Sequence, residues 1–180
     1  MPSPYGVRAS FYIASSILVS MLILGIDPGT ATTGFGLVRA DGQSRTMVDC
    51  GVISTPKGRE HPARLQELYH DLQALIRHHR PDVAVVEKLF FAANVTTAMK
   101  VGEARGVALL ALQEAGLPVF EYTPLQVKQT VTGYGKAVKK QVQEMVKQHL
   151  MLSTVPKPDD AADALAIALT HAAQMKAPRL

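Results

Sequence analysis

Cysteine is almost absent from this sequence, which excludes the cross-links and metal sites that depend on it. Cys50 is the only cysteine among 180 residues, so there is no disulfide framework, and the chain suits a reducing compartment such as the cytoplasm. No cluster of Cys and His has the spacing of zinc ligands. His78 and His79 fall in a helical pattern and are expected to face solvent. Any metal bound by this chain should therefore have oxygen ligands.

Charged residues are missing from residues 9–26, and Arg8 precedes this stretch. Its length is close to that of a membrane span, and its start resembles a signal sequence. Four serines interrupt the stretch, however, and its second half has the pattern of a first strand. We therefore predict no membrane role. We interpret residues 1–20 as an extension upstream of a single domain at 21–175, a length that allows a real core.

Acidic residues are scarce in the region 122–150, where Glu144 is the only one. The lysines of this region are Lys128, Lys136, Lys139, Lys140 and Lys147. The chain as a whole has a formal net charge of +4. A basic stretch of this kind suits a polyanion such as nucleic acid, although a solvated lysine-rich helix face is also common.

Carboxylates are present at the ends of three apolar or small-residue segments. Asp27 ends a buried-strand pattern and precedes a Pro-Gly turn, and Glu87 ends a second strand pattern. Asp160 and Asp163 open an Ala-rich helix and lie three residues apart on one face. Buried carboxylates are costly unless cations or hydrogen-bond donors compensate them. An Asx turn at the first site and helix capping at the last are the alternative roles.

Hydrophobic periodicity predicts five strands and five helices. We expect strands at about 22–27, 33–40, 45–54, 82–87 and 118–121, and helices at about 61–79, 95–115, 123–131, 138–150 and 159–174. Three consecutive strands followed by alternating helices and strands form a mixed sheet flanked by helices. The expected fold class is therefore α/β with a mixed five-stranded sheet.

Five segments, taken together and in this order, are specific enough to indicate a protein family. They are Leu-Gly-Ile-Asp-Pro-Gly-Thr at 24–30, Glu-Lys-Leu-Phe at 87–90, Gly-Glu-Ala-Arg-Gly-Val-Ala at 102–108, Gln-Val-Lys-Gln-Thr-Val at 126–131 and Asp-Ala-Ala-Asp-Ala-Leu-Ala at 160–166. The chain thereby resembles the RuvC family of bacterial Holliday junction resolvases, which have an RNase H-like fold. The resemblance implies a structure-selective DNA endonuclease that resolves four-way junctions in recombination and repair and leaves 5′-phosphate and 3′-hydroxyl ends.

The resemblance also implies that Asp27, Glu87, Asp160 and Asp163 are the catalytic residues and the metal ligands of one site. Four carboxylates packed together raise one another's pKa values unless divalent cations neutralise them. Mg²⁺ is the expected ion, with Mn²⁺ as the alternative, and two ions per site suit phosphodiester hydrolysis. Asp27, the deepest of the four, is expected to bridge both ions.

The family further implies a DNA-binding surface around this site. The expected DNA-binding residues are Phe90, Arg105, Lys128, Lys139, Lys136 and Lys140. Phe90 would stack on a base near the junction, and packing in the core is its alternative role. Lys128 and Lys139 match family lysines close to the catalytic centre, where a cation also stabilises transition-state charge.

The helix expected at 95–115 has almost no polar face and should be buried on more than one side. Gly102 and Gly106 would let another backbone approach, either from the same chain or from a second copy. A two-fold symmetric junction must be cut on two strands, which suits a symmetric dimer. We therefore expect a homodimer joined through this helix, as the resemblance also implies. Engagement of the branch-migration proteins RuvA and RuvB stays open.

Two other functions fit parts of the sequence. Residues 25–30 also resemble the first phosphate loop of actin-like ATPases and sugar kinases. Those enzymes need two such domains and a second glycine-rich phosphate loop, which we do not find. A DNA-binding module without catalysis would have no use for the complete carboxylate set, because like charges without a metal only destabilise a fold. The sequence therefore favours a nuclease.

Overall fold

A five-stranded sheet with helices on both faces forms the structure. The computed structural model describes residues 20–29, 31–56, 58–88 and 95–175, the last range without the side chains of 95–97. The elements are β1 (Met21–Asp27), β2 (Thr32–Asp41), β3 (Ser44–Ser54), α1 (His61–His79), β4 (Val83–Glu87), α2 (Val95–Glu114), β5 (Val119–Tyr122), α3 (Pro124–Thr132), α4 (Lys139–His149) and α5 (Asp159–Gln174). The predicted strands and helices are confirmed, with boundaries that differ by about one residue.

The sheet is mixed, with the strand order β3-β2-β1-β4-β5. β1, β2 and β3 form an antiparallel meander, whereas β4 is parallel to β1 and β5 is parallel to β4. Parallel neighbours need a crossover, which α1 supplies before β4 and α2 supplies before β5. The carboxyl ends of β1 and β4 consequently lie at the same edge of the sheet.

Each face of the sheet has its own hydrophobic core, because successive side chains of a strand point to opposite faces. Leu22, Leu24 and Ile26 of β1 pack in the core under α1 and α2. Ile23 of β1 packs in the core under α3, α4 and α5, together with Val83 and Val85 of β4. The alternation continues to the strand ends and directs the side chains of Asp27 and Glu87 toward the α5 face.

Glycines in β1 and β2 allow α5 to lie directly against the backbone of the sheet. A Cβ atom on Gly25 would overlap the carbonyl oxygen of Ala164, and one on Gly34 would overlap the carbonyl oxygen of Asp160. Gly34 is also the cross-strand partner of Asp27. The absence of two side chains thus brings the first turn of α5 next to the end of β1.

α2 is only partly covered. Ala104, Ala108 and Leu112 are buried in the core that α2 shares with α1, whereas Leu110 is 53% exposed. A Cβ on Gly106 would contact nothing within 4 Å. None of the helices in the described part of the chain has both the length and the hydrophobicity needed to cross a membrane.

The predicted solvent exposure of the two adjacent histidines is wrong for one of them. His78 is exposed, but the side chain of His79 is only 16% exposed, and its Nε2 lies 3.1 Å from a carboxylate oxygen of Asp49 on β3. Helical periodicity places both residues on α1, but it does not show that the helix end lies close to β3.

Candidate active site

Asp27 and Glu87 end two neighbouring parallel strands. The parallel register pairs Ile26 with Val86, so the next residue of each strand is a carboxylate. Both carboxylates lie on the α5 face at one edge of the sheet. A sheet edge of this kind, at the carboxyl ends of parallel strands, is a common position for ligand sites in α/β proteins.

The first turn of α5 adds two more carboxylates. Carboxylate oxygens of Asp27, Asp160 and Asp163 all lie within 4.8 Å of one another. Glu87 lines the same cavity as Asp27 and Asp163. The N-cap residue of α5, Pro158, makes no side-chain hydrogen bond, and Asp159 and Asp160 lie in the first turn, where the helix dipole also favours their charges. All four predicted residues therefore meet at one place, although they come from three separate segments.

Burial and mutual repulsion raise the pKa values of three carboxyl groups in the acidic cluster, and the neighbouring lysines offset this only in part. Burial raises the pKa of Asp27 to about 7, and the charges of Glu87, Asp163 and Asp160 add to the rise. Burial also raises the pKa values of Glu87 and Asp163, each helped by a neighbouring aspartate. A set of crowded, partly desolvated oxygen donors without His or Cys fits hard divalent cations such as Mg²⁺ and Mn²⁺.

Two lysines complete the wall of the cavity. Lys139 Nζ lies 2.7 Å from Asp163 Oδ2, and this hydrogen bond raises the pKa of the lysine. The charge of Lys128 partly offsets the raised pKa of Glu87. The cavity has a volume of about 260 Å³ and is lined by Asp27, Glu87, Pro124, Val127, Lys128, Lys139, Val142, Asp163 and Ala166. Its walls thus combine metal-binding oxygens with cations that suit a phosphate.

Sequence reasoning missed one residue of the site. The hydroxyl of Thr32, at the start of β2, donates a hydrogen bond of 2.5 Å to Asp160 Oδ2. This contact restrains the orientation of the Asp160 carboxylate. Nothing in the local sequence predicts it, because the two residues lie 128 positions apart.

The predicted DNA-binding residues differ in their surroundings. Phe90 lies outside the described residues. Lys128 and Lys139 line the cavity, and Lys136 and Lys140 are exposed on the chain between α3 and α4 and at the start of α4.

Arg105 is placed differently from these lysines. Its side chain is half-buried, its guanidinium pairs with Glu121 on β5, and its Nε donates to the carbonyl oxygen of Glu87 at 3.3 Å. Arg105 thus already fastens α2 to the end of β4.

Comparison with known proteins assigns the chain to a family. The family model described as crossover junction endodeoxyribonuclease RuvC matches residues 23–171. The chain belongs to the RuvC family. A curated family member from Chloroflexus aurantiacus is 59% identical over 152 residues, which cover 84% of this chain and 93% of the relative. A member from Rubrobacter xylanophilus is also 59% identical, and the match covers 84% of each chain.

Solved structures agree with this assignment. RuvC of Thermus thermophilus in complex with a Holliday junction substrate superposes with a TM-score of 0.80 and 38% identity, covering 86% of this chain and 94% of that chain. The yeast mitochondrial Holliday junction resolvase Ydc2 gives a TM-score of 0.62 at 16% identity, covering 84% of this chain and 77% of its own, and supports the fold alone. The family and the RNase H-like fold expected from the five segments are thereby confirmed.

Proposed function

We propose that this protein is a divalent-metal-dependent endodeoxyribonuclease that resolves four-way junctions during recombination and repair, with residues 21–175 as a single nuclease domain. The observation that carries the proposal is the acidic cluster: Asp27, Asp160 and Asp163 share one site, with Glu87 in the same cavity. Family membership supplies the substrate class, and the basic chain around α3 and α4 is suited to bind it.

Asp27, Glu87, Asp160 and Asp163 would hold two Mg²⁺ or Mn²⁺ ions. When bound, such ions supply an activated water and stabilise the departing oxygen, which gives 5′-phosphate and 3′-hydroxyl ends. Lys128 and Lys139 would bind oxygens of the scissile phosphate, since both cations lie on the wall of the same cavity. The hydrogen bond from Lys139 also orients Asp163.

The direct test compares the parent with Asp27→Asn on a four-way junction and on a matched linear duplex, with Mg²⁺ or with a chelator. The parent should nick only the junction, and only with the metal. The variant should cut at least about 100-fold more slowly, because it loses a ligand while even outer partners of ligands contribute 10- to 100-fold. Its junction binding should persist, since the lysines are unchanged.

Asp159→Asn is the matched control for this experiment. Asp159 lies on the same helical turn as Asp160, but its carboxylate pairs with Lys157 at 2.7 Å, lies 3.9 Å from Lys139 Nζ and is outside the acidic cluster. The control should cut within about twofold of the parent, a change that corresponds to less than 0.5 kcal/mol. Full cutting by Asp27→Asn would reject the proposed function.

We also infer a homodimer joined through α2. Met99 and Leu110 are 62% and 53% exposed, and with Gly106 they lie on one stripe of the helix, at spacings of seven and four residues. Nothing in the described part of the chain covers this stripe. A second copy across a two-fold axis would bury it and would pair two active sites for the two cuts.

Gly106→Leu tests the dimer cleanly, because a side chain at this position meets nothing within 4 Å in the protomer and leucine is the better helix former. Sedimentation equilibrium should show a folded monomer, and paired incision of the junction should stop. Gly58→Leu, at a second glycine with free space around it, should stay dimeric. A dimeric, fully active Gly106→Leu variant would move the interface elsewhere.

Association with RuvA and RuvB and a cytoplasmic location beside the chromosome are further parts of this proposal. Both rest on family membership, and neither is needed for the cleavage test.

A further inference from the structure

An exposed apolar strip is made of Leu125 in the first turn of α3 and of Tyr134 and Val138 in the segment that connects α3 to α4. Their exposures are 61%, 58% and 61%. Gly135 packs against Leu125, where an added Cβ would come within 2.6 Å of Leu125 Cδ1. Tyr134 and Val138 line one groove of about 420 Å³. The three side chains therefore form one surface.

The strip adjoins the lining of the catalytic cavity at two points along the chain. Pro124, which precedes Leu125, lines that cavity, and so does Lys139, which follows Val138. A DNA strand with its scissile phosphate in the cavity would therefore have this apolar surface within reach of a base close to the cut.

The backbone that carries Tyr134 is held in one conformation. Tyr134 N donates to Thr132 Oγ1 at 3.1 Å, and Tyr134 O accepts from Ala137 N at 3.1 Å. Ala137 is 1% exposed and anchors the loop in the core. Gly133, with φ +75°, ends α3 in the left-handed conformation. The ring is thus presented to solvent by a fixed loop.

The charges around the strip favour DNA as its occupant. Lys136 and Lys140 are exposed beside it, and Glu144 is the one acid among the residues that line the groove. An exposed aromatic ring between lysines is the arrangement with which proteins bind single-stranded nucleic acid, through stacked bases and neutralised phosphates.

We propose that the apolar strip binds a nucleobase of the strand being cut, stacked on Tyr134, next to the phosphate in the catalytic cavity. The proposal rests on the proposed function and adds a recognition site to it. Bases at a junction are more easily unpaired than those in a duplex. The strip would therefore favour cutting at positions where a base has left its stack.

The test uses full-length Tyr134→Ala, Tyr134→Leu and Tyr134→Phe, with binding to a four-way junction measured in chelator over a range of salt concentrations. Tyr134→Ala should weaken binding by at least about fivefold, the lower end of the loss of stacking on an aromatic ring. The slope of log affinity against log salt should not change, because stacking releases no counterions. Tyr134→Phe should bind like the parent, and Tyr134→Leu should resemble the alanine variant.

Two further measurements locate the contact. 2-Aminopurine placed in turn at each nucleotide flanking the cut should be quenched by the parent at one position and not by Tyr134→Ala. Lys136→Ala should reduce the salt slope, in contrast to the tyrosine variants. Met151→Ala, which truncates an 83% exposed side chain just beyond the other end of α4, should have no effect.

Each contrary outcome is decisive. Binding by Tyr134→Ala within twofold of the parent would overturn the stacking site and leave the strip to a protein partner. If Tyr134→Leu binds the junction as tightly as the parent, the contact is a simple apolar one and the stacking proposal is also overturned. Melting temperatures of all variants should match that of the parent, since the ring is not part of the core. If the parent itself neither binds nor cuts the junction, the proposed function fails as well.

Discussion

The two faces of the sheet differ in how closely a helix approaches the strand backbone, and the difference bears on both stability and function. Under α1 and α2, large aliphatic side chains such as Leu24, Leu72 and Leu112 are completely buried. Under α5, the sheet presents Gly25 and Gly34 to an alanine-rich helix. Large side chains keep a helix away from the sheet, whereas small ones let the two backbones meet.

Close contact is what the active site requires. Carboxylate side chains are short, so an aspartate on a helix reaches an aspartate on a strand only if the two backbones are near each other. The glycine face achieves this at Asp27 and Asp160, but it thereby crowds carboxylates at one end of its own hydrophobic core. The acidic end of the α5 face should therefore cost stability in the absence of metal, whereas the α1/α2 face carries no such cluster among the described residues.

The largest expected effect is the pH dependence of stability in metal-free protein. Burial, reinforced by three neighbouring carboxylates, raises the pKa of Asp27 from 3.8 to about 7. Between these values the folded state keeps a proton that the unfolded chain has lost, so the free energy of unfolding falls as pH rises from about 4 to 7. A shift of this size corresponds to on the order of 4 kcal/mol.

Asp27→Asn should remove this cost, so that above pH 7 the metal-free variant is more stable than the parent although it no longer cuts. Denaturation in chelator at pH 5 and pH 8 measures the gap between the two proteins. The difference between the two proteins is the useful quantity, because a second group also makes stability depend on pH. Burial lowers the pKa of His171, so the free energy of unfolding of both proteins falls as pH drops below about 6.5, and this contribution cancels in the difference. Mg²⁺ should stabilise the parent more than the variant at pH 8. A gap that stays constant with pH would contradict this view of the α5 face.

A smaller effect should follow from filling the space between β2 and α5. Gly34→Ala places a Cβ against the carbonyl oxygen of Asp160, and overpacking of this kind lowers the free energy of unfolding by about 1–3 kcal/mol. Because the displaced residue is part of the acidic cluster, affinity for Mg²⁺ and the rate of cutting should fall with it. Urea denaturation and calorimetric Mg²⁺ titration measure the two effects.

The opposite face supplies the control for Gly34→Ala. Ile76 of α1 is 6% exposed in the other core, and Ile76→Val should lower the free energy of unfolding by about 0.5–1.5 kcal/mol. Mg²⁺ affinity and cutting by that variant should remain those of the parent. If Gly34→Ala and Ile76→Val change the affinity for Mg²⁺ equally, the close approach of α5 to the sheet has no special role in metal binding.

Local patterns predict most of the fold and mark the four acidic residues as candidates, whereas their meeting in one site is expected from the resemblance to the RuvC family. The spacing of apolar residues predicts the helices and strands. Asp27 and Glu87 stand out as charged residues at the ends of apolar strands. The close approach of α5 could also have been anticipated. Gly34 and Gly36 alternate on one face of β2, and glycine inside a strand often marks a nearby backbone.

Contacts between distant residues are what the sequence does not show. The pairing of Arg105 with Glu121 and of His79 with Asp49 depends on how helices settle on the sheet. No local period encodes these partners. The expected role of Arg105 in binding phosphate therefore competes with a structural ion pair that only the fold reveals.

The smallest expected effect concerns the hydrogen bond from Thr32 to Asp160, which also crosses from β2 to α5. Thr32→Val keeps the shape of the side chain and removes the hydroxyl, so the carboxylate of Asp160 loses the partner that orients it. Partners of metal ligands contribute 10- to 100-fold to affinity. Since Asp160 is one of four carboxylates, we expect the lower end, about a tenfold loss of Mg²⁺ affinity, or about 1.4 kcal/mol.

Thr32→Ser separates orientation from packing, because serine keeps the hydroxyl and loses only the methyl group. Calorimetric titration should give near-parental Mg²⁺ affinity for serine and the tenfold loss for valine, with cutting by the valine variant restored at high Mg²⁺ concentration. Restoration by excess metal is the sign of a positioning residue, since a hydroxyl that acted in the chemical step would still be missing at saturation. Equal metal affinities for the two variants would show that Asp160 is held by the backbone contact at Gly34 alone.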